Sequence, residues 1–319
     1  MSMNNSFHRS VLVPEVLNTL RVKRAGVYVD ATVGDGGHTL ALLQRLDPDQ
    51  GFVYGIDQDP MAVRIATSRL QRAGFDNFRL IRYNFCDMTS CFARLGVTAV
   101  DGIIFDLGLS QRQLDDERRG FSYHHDGPLD MRMDPSAAVT AAAVLAQSTE
   151  QQLANMLSDY GELRYARRLA RSIVRARCDH KIVTTQQLVS IIKHTAPSRC
   201  RRVGHPARRL FQALRIAVNR ELTTLRHGLI AAAHLLQAGG RLVVISFHSL
   251  EDRIVKHYFR ALAGRDATEK LLTRDLPTTT AGAPVRFRLV TNRPVTASHR
   301  QVLGNRRSRS AKLRAIERL

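Results

Sequence analysis

The 319-residue chain has no tryptophan, and its four cysteines, Cys86, Cys91, Cys178 and Cys200, never form a C-x-x-C pair. A structural zinc or iron–sulfur cluster therefore lacks its ligand frame, and no metal is expected. The thiols read as reduced and mostly buried, in a cytoplasmic protein. No apolar run approaches the roughly 18 residues of a membrane span, and Met1 to Arg9 lacks the apolar core of a signal peptide. A soluble, unexported protein without a membrane partner is expected. Acidic residues are also scarce, 28 against 48 Lys and Arg, which leaves a formal charge of +20. That excess points to a polyanionic partner, of which nucleic acid is the commonest.

The densest local signal begins at a short β-rich run, Val27 to Val29, followed by Asp30-Ala-Thr-Val-Gly-Asp-Gly-Gly-His38. Glycines at 34, 36 and 37 let backbone N–H groups come close to a ligand, and the apolar residues after His38 start a helix. A second strand, Phe52 to Ile56, ends at Asp57. That lies about twenty residues past the glycines, where a carboxylate accepts hydrogen bonds from ribose hydroxyls. A dinucleotide fingerprint from Gly34 requires glycine at 39, where Thr39 stands. The spacing D-x-x-x-G-x-G, from Asp30 to Gly36, instead fits the loop of S-adenosylmethionine enzymes. A tight βα turn without ligand is the plain alternative.

Strand-like runs at Val27 to Val29, Phe52 to Ile56, Arg79 to Tyr83 and Val100 to Leu107 alternate with amphipathic stretches such as Met61 to Ala73, as βαβ units do. From Ser110 to Leu210 no buried strand is evident, and helices are expected over 137–146, 150–159, 163–177 and 185–193. A helix over 214–237, a Gly239-Gly240 stop and a strand over 241–246 then restore the sheet pattern. The expected architecture is α/β, with a discontinuous domain over 1–109 and 211–319 and a helical insertion over 110–210. The insertion carries Arg164, Arg167, Arg168, Arg171, Arg175, Arg177, Arg199, Arg201, Arg202, Arg208 and Arg209, and Asn305 to Arg314 adds a second arginine-rich segment. Both suit phosphate oxygens.

The fourth strand ends at Asp106, a place from which a carboxylate faces a cofactor and accepts an N–H from a reacting amine. Capping of the next turn is the alternative role. No cysteine follows a proline, so the usual nucleophile of cytosine C5 methylation is missing and N- or O-methylation is favoured. His248 could serve acid–base chemistry, although a lone histidine is more often structural.

Several segments in order, among them Asp30 to His38, Gly55-Ile-Asp-Gln-Asp-Pro60, Asp106-Leu-Gly, Gln113-Leu-Asp-Asp116, Arg119-Gly-Phe-Ser122, Gly127 to Asp134, Phe211 to Ile216, Ile245 to Arg253 and Arg307 to Arg314, resemble the RsmH (MraW) family. The likeness runs from His8 to Leu319 and implies a Rossmann-like class I methyltransferase sheet with an inserted all-helical domain. It further implies an S-adenosyl-L-methionine-dependent enzyme that methylates N4 of a decoding-centre cytidine in 16S ribosomal RNA, with the rRNA or the small ribosomal subunit as partner. By motif, Gly36, Gly37, His38, Asp57, Phe85, Asp106 and Gln113 would contact the cofactor, and Asp106 would also be the catalytic residue. A methyltransferase for another RNA base, or an RNA-binding protein without catalysis, are the rival readings.

Overall fold

The computed structural model describes residues 10–197, 205–265 and 286–319. They form two compact units, one from 1–108 with 222–319 and one from 109–221. Cys200, Arg199, Arg201 and Arg202 lie outside the described residues.

The first unit is built on one sheet. Strands β1 (Val27–Asp30), β2 (Phe52–Asp57), β3 (Phe78–Arg82), β4 (Val100–Asp106) and β5 (Leu236–Ser246) pair in parallel; β6 (Phe287–Leu289), β7 (Val295–Thr296) and β8 (Lys312–Arg318) are antiparallel additions. The order is β3-β2-β1-β4-β5-β8-β6, with β7 paired to β8. Central strands are apolar on both sides because helices cover both faces. Along β4 and β5 the side chains alternate accordingly: Ile103, Phe105, Leu242 and Val244 enter one core, while Ile104, Val243 and Ile245 enter the other. Helices α1 (Val13–Leu20), α2 (Gly37–Leu43), α3 (Pro60–Arg72) and α4 (Met88–Arg94) belong to this unit. Asp59 caps α3 by accepting the Met61 N–H at 3.0 Å, with Pro60 as the first helical residue.

The second unit is helical: α5 (Gln111–Asp115), α6 (Ala141–Gln147), α7 (Glu150–Asp159), α8 (Ala166–Asp179), α9 (Thr185–Thr195) and α10 (Ala207–Asn219). Its described residues contain one isolated bridge, Pro128 to Thr184, and no strand. Leu153, Leu157, Leu169, Ile173, Leu188, Ile192, Leu210, Phe211 and Leu214 share its core. Because α10 packs into that core, the return to the sheet unit falls at Leu222, not at the expected residue 211.

Chain return is through α11 (Glu221–Leu235), followed by β5, α12 (Ser249–Leu262) and, before β8, α13 (His299–Gly304). The single helix expected over 214–237 is thus two. Arg220 between them has φ +51°, and Asn219 is pinned: its Nδ2 donates to the Met131 and Arg215 carbonyls at 2.7 and 2.9 Å, and its Oδ1 accepts the Met133 N–H at 2.7 Å. Extended chain resumes at Leu236, so Gly239 and Gly240 lie inside β5 instead of ending a helix. Of the described cysteines Cys91 is buried, but Cys178 is exposed on α8, which corrects the expectation of mostly buried thiols.

Candidate active site

Asp30, Asp57 and Asp106 end β1, β2 and β4. They stand at the carboxyl edge, where the strand order reverses between β1 and β4. Open α/β sheets bind ligands at that point. The glycine loop is tied to it. Gly34, at φ +52°, donates its N–H to Asp57 Oδ2 at 2.8 Å, and Asp57 Oδ1 accepts the Asp59 N–H at 2.9 Å. Burial nevertheless pushes the Asp57 carboxyl up to about 6. Gly36, at φ +76°, donates to the Val33 carbonyl at 2.8 Å. A Cβ on Gly36 would lie 3.0 Å from Ala66 Cβ, and one on Gly37 would collide with Ser10. The bare α-carbons at 36 and 37 therefore admit the protein's own neighbours, a local reason for glycine besides ligand approach.

His38 sits in the first turn of α2 and is 4% exposed. Its Nε2 lies 3.4 Å from Asp106 Oδ2. Neither ring nitrogen has a hydrogen-bond partner, nor does the buried Asp106 Oδ1. Unpaired buried polar atoms are rare in folded proteins and call for a reason. Burial favours the neutral ring, but the Asp106 and Asp30 carboxylates outweigh it and raise the imidazole pKa above its ordinary value. Asp30, fully buried, accepts the Thr39 hydroxyl at 2.7 Å and the Thr32 N–H at 3.2 Å. Burial drives its carboxyl upward against those bonds and His38. Thr32 also takes the Asp106 N–H on its Oγ1 at 2.6 Å, joining the ends of β1 and β4.

Phe85 opens a short 3₁₀ turn, Phe85–Asp87, after β3. Its ring meets Phe105 edge-on at 5.1 Å and 80°, and a Cβ on Gly228 would strike it. The ring is thus seated on the core while remaining partly exposed. Gln113 belongs to the helical unit, buried, where it closes a capping box with Ser110: its Oε1 accepts the Ser110 N–H at 3.0 Å. His248 has a structural place as the cap of α12, where its Nδ1 accepts the Glu251 N–H at 3.4 Å while Glu251 Oε2 accepts the Phe247 N–H at 2.8 Å.

Thr32, Asp59 and Gly228 were not singled out by sequence. Asp59-Pro60 carries a legible helix-start signal, whereas Thr32 and Gly228 matter only through contacts with distant segments.

The arginine-rich segments sort into two kinds. Arg177 donates to the Leu145 and Ser148 carbonyls at 2.6 and 2.7 Å, Arg209 to the Glu162 carbonyl at 3.0 Å, and Arg168 to Thr195. These act inside the helical unit. Arg164, Arg167, Arg175 and Arg208 are exposed. In the C-terminal segment, Lys312 and Arg314 do not stand free as expected: both lie in β8 and hold Asp252, at 3.2 and 2.7 Å. Arg306 and Arg309 are exposed.

An adenosyl sulfonium fits this donor set. Acids end three strands, the Asp57 carboxylate stands behind the glycine loop, and unpaired polar atoms remain on His38 and Asp106. Fold and site define a class I S-adenosyl-L-methionine-dependent methyltransferase. More narrowly, the family model described as the MraW methylase family matches residues 5–319, and the chain belongs to that family. It is 48% identical over 313 residues to a protein of Symbiobacterium thermophilum, covering 98% of this chain and 96% of that one. It is 47% identical over 313 residues to one of Pelobacter propionicus, covering 98% of each. Both are named ribosomal RNA small subunit methyltransferase H.

Proposed function

We propose that this chain methylates the exocyclic N4 of a decoding-centre cytidine in 16S ribosomal RNA, in the cytoplasm, with the helical unit gripping the RNA or the small ribosomal subunit. The observation that carries it is Asp106: a strand-end carboxylate with an unpaired Oδ1 and with Oδ2 against His38. The ribosomal substrate is supported by the names of the relatives, and the choice of cytidine by the family resemblance.

When bound, S-adenosylmethionine supplies a methyl group on a positively charged sulfur. In the sheet unit Asp57 would accept the ribose hydroxyls, the Phe85 ring would cover the adenine, and Gly36, Gly37 and His38 would be the remaining cofactor residues; the role of Gln113 rests on the family resemblance. The lone pair of a cytosine N4 is delocalised into the ring. Asp106 Oδ2 accepts one N–H of that amine, which localises the lone pair and aims it in line at the methyl carbon. The extra proton of the product amine would leave to Asp106 Oδ2. His38 Nε2, 3.4 Å from that oxygen, places a positive charge beside it when protonated.

Reaction of ribosomal RNA with deuterated cofactor, followed by nucleoside analysis, tests this. Label on N4 of cytidine is expected. Label at C5, on adenosine or on a ribose oxygen refutes the assignment, and no transfer at any concentration leaves a binding protein on a methyltransferase fold.

A further inference from the structure

Away from the strand ends, a pocket of about 270 Å³ opens against the second half of α12. Four cationic side chains line it, Lys256, Arg260, Arg265 and Arg314, over a floor that includes Phe259 and Leu289. Arg314 is only 8% exposed and is clamped by Asp252, its Nε at 2.7 Å and Nη2 at 3.3 Å from the two carboxylate oxygens. Arg265 is steadied by a neutral group, its Nη1 donating to Asn292 Oδ1 at 2.9 Å. Among the described residues neither Lys256 nor Arg265 has an ion-pair partner. Thr291 Oγ1 accepts the Ala315 N–H at 2.9 Å, which leaves its own proton to donate.

Among the described residues that line the pocket none is acidic, and a cleft lined by one sign of charge concentrates counter-ions. Guanidinium forks with a hydroxyl donor match the oxygens of a phosphate group better than a single carboxylate. We propose that this pocket is a phosphate-binding site separate from the methyl-transfer site. On the ribosomal RNA reading above, its occupant is a backbone phosphate of the substrate, held apart from the reacting base. A contact so far from the reacting base strengthens substrate and transition state alike, which raises RNA affinity and leaves the methyl-transfer step unchanged.

The test uses the full chain and the pair Lys256→Ala/Arg265→Ala, with Arg45→Ala/Arg94→Ala as an equal charge loss on exposed positions elsewhere. Affinity for a 16S rRNA transcript is measured by fluorescence anisotropy across salt concentration, and inorganic phosphate binding by calorimetry. The pocket variant is expected to bind RNA about tenfold more weakly, and its log–log salt slope flattens by about 0.7 for each phosphate that is no longer neutralised. The turnover at saturating RNA stays at the wild-type value and the control pair changes less. If RNA binding is unaltered but inorganic phosphate binding disappears in the variant, the site holds free phosphate. If a folded variant keeps both, the proposal is overturned. Should the wild type transfer no methyl group to RNA, the ribosomal reading fails, while calorimetry with inorganic phosphate still decides the pocket.

Discussion

The ribose role proposed for Asp57 would couple cofactor binding to protons. Burial holds its carboxyl at about 6, against a usual 3.8. A raised folded-state value means that the apoprotein keeps the full benefit of this group below about 3.8 and loses it as pH rises through 6. At about 1.4 kcal/mol per tenfold, the loss is about 3 kcal/mol. Ribose hydroxyls donating to the carboxylate favour its ionised form. Near pH 5 only about one molecule in ten carries it, so cofactor affinity should be about tenfold weaker there than at pH 7. Asp57→Asn keeps one oxygen acceptor and loses a charge-assisted bond, about 1.5 to 3 kcal/mol, which weakens affinity about ten- to a hundredfold at pH 7. Its affinity should then show none of the wild type's Asp57-linked pH dependence. Calorimetry of wild type and variant from pH 5 to 8, in buffers of different ionisation enthalpy, reads both effects together with the protons released. Parallel affinity–pH curves for the two proteins would refute the ribose role of Asp57.

Asp106→Ala should fold and bind cofactor, yet transfer methyl groups on the order of 10² to 10³ times more slowly; wild-type turnover at saturating substrates would leave only a capping role. His38 has a raised pKa in the fold, so its stabilisation is present below its unfolded value near 6.5 and is lost as pH climbs past the folded one. Denaturant unfolding should therefore show wild type losing its advantage over His38→Asn as pH rises, whereas a constant difference would exclude the Asp106 contact. Gly228→Ala pushes a methyl group into the Phe85 ring, with an expected cost of about 1 to 3 kcal/mol in unfolding and weaker cofactor binding. Unchanged affinity in that variant would detach Phe85 from the adenine. Replacing the exposed Arg306 and Arg309 with alanine should lessen the salt dependence of RNA binding, and an identical slope would count against that segment.

What could be read in advance followed local chemistry. Strands β1, β2 and β4 are buried apolar runs ending in aspartate, and α7 spans the expected residues, its start fixed by the capping box of Thr149 and Gln152. The glycine loop and the positions of Asp57 and Asp106 belong to the same short-range grammar. What escaped depended on distant partners. The break at Arg220 is fixed by Asn219 bonds to Met131 and Met133. Lys312 and Arg314 have the composition of a phosphate-binding run, and only the approach of Asp252 turns them inward. The bare α-carbon at Gly228 has meaning only with Phe85 beneath it.

The division of the sheet unit around residues 109–221 sets an order of assembly. The helical unit is one uninterrupted segment whose core draws only on its own residues, so it closes without waiting for later chain. Strand β4 must instead wait for β5, since Ile104 faces Val243 across the whole intervening segment. Until then the growing sheet shows an open β4 edge with unpaired backbone groups, a template for pairing with other chains. Closure over so long a separation is slow. The carboxyl edge of the sheet, with Asp30 and Asp106 on adjacent strands, is therefore half laid down early but is buttressed only after the helical unit has been made.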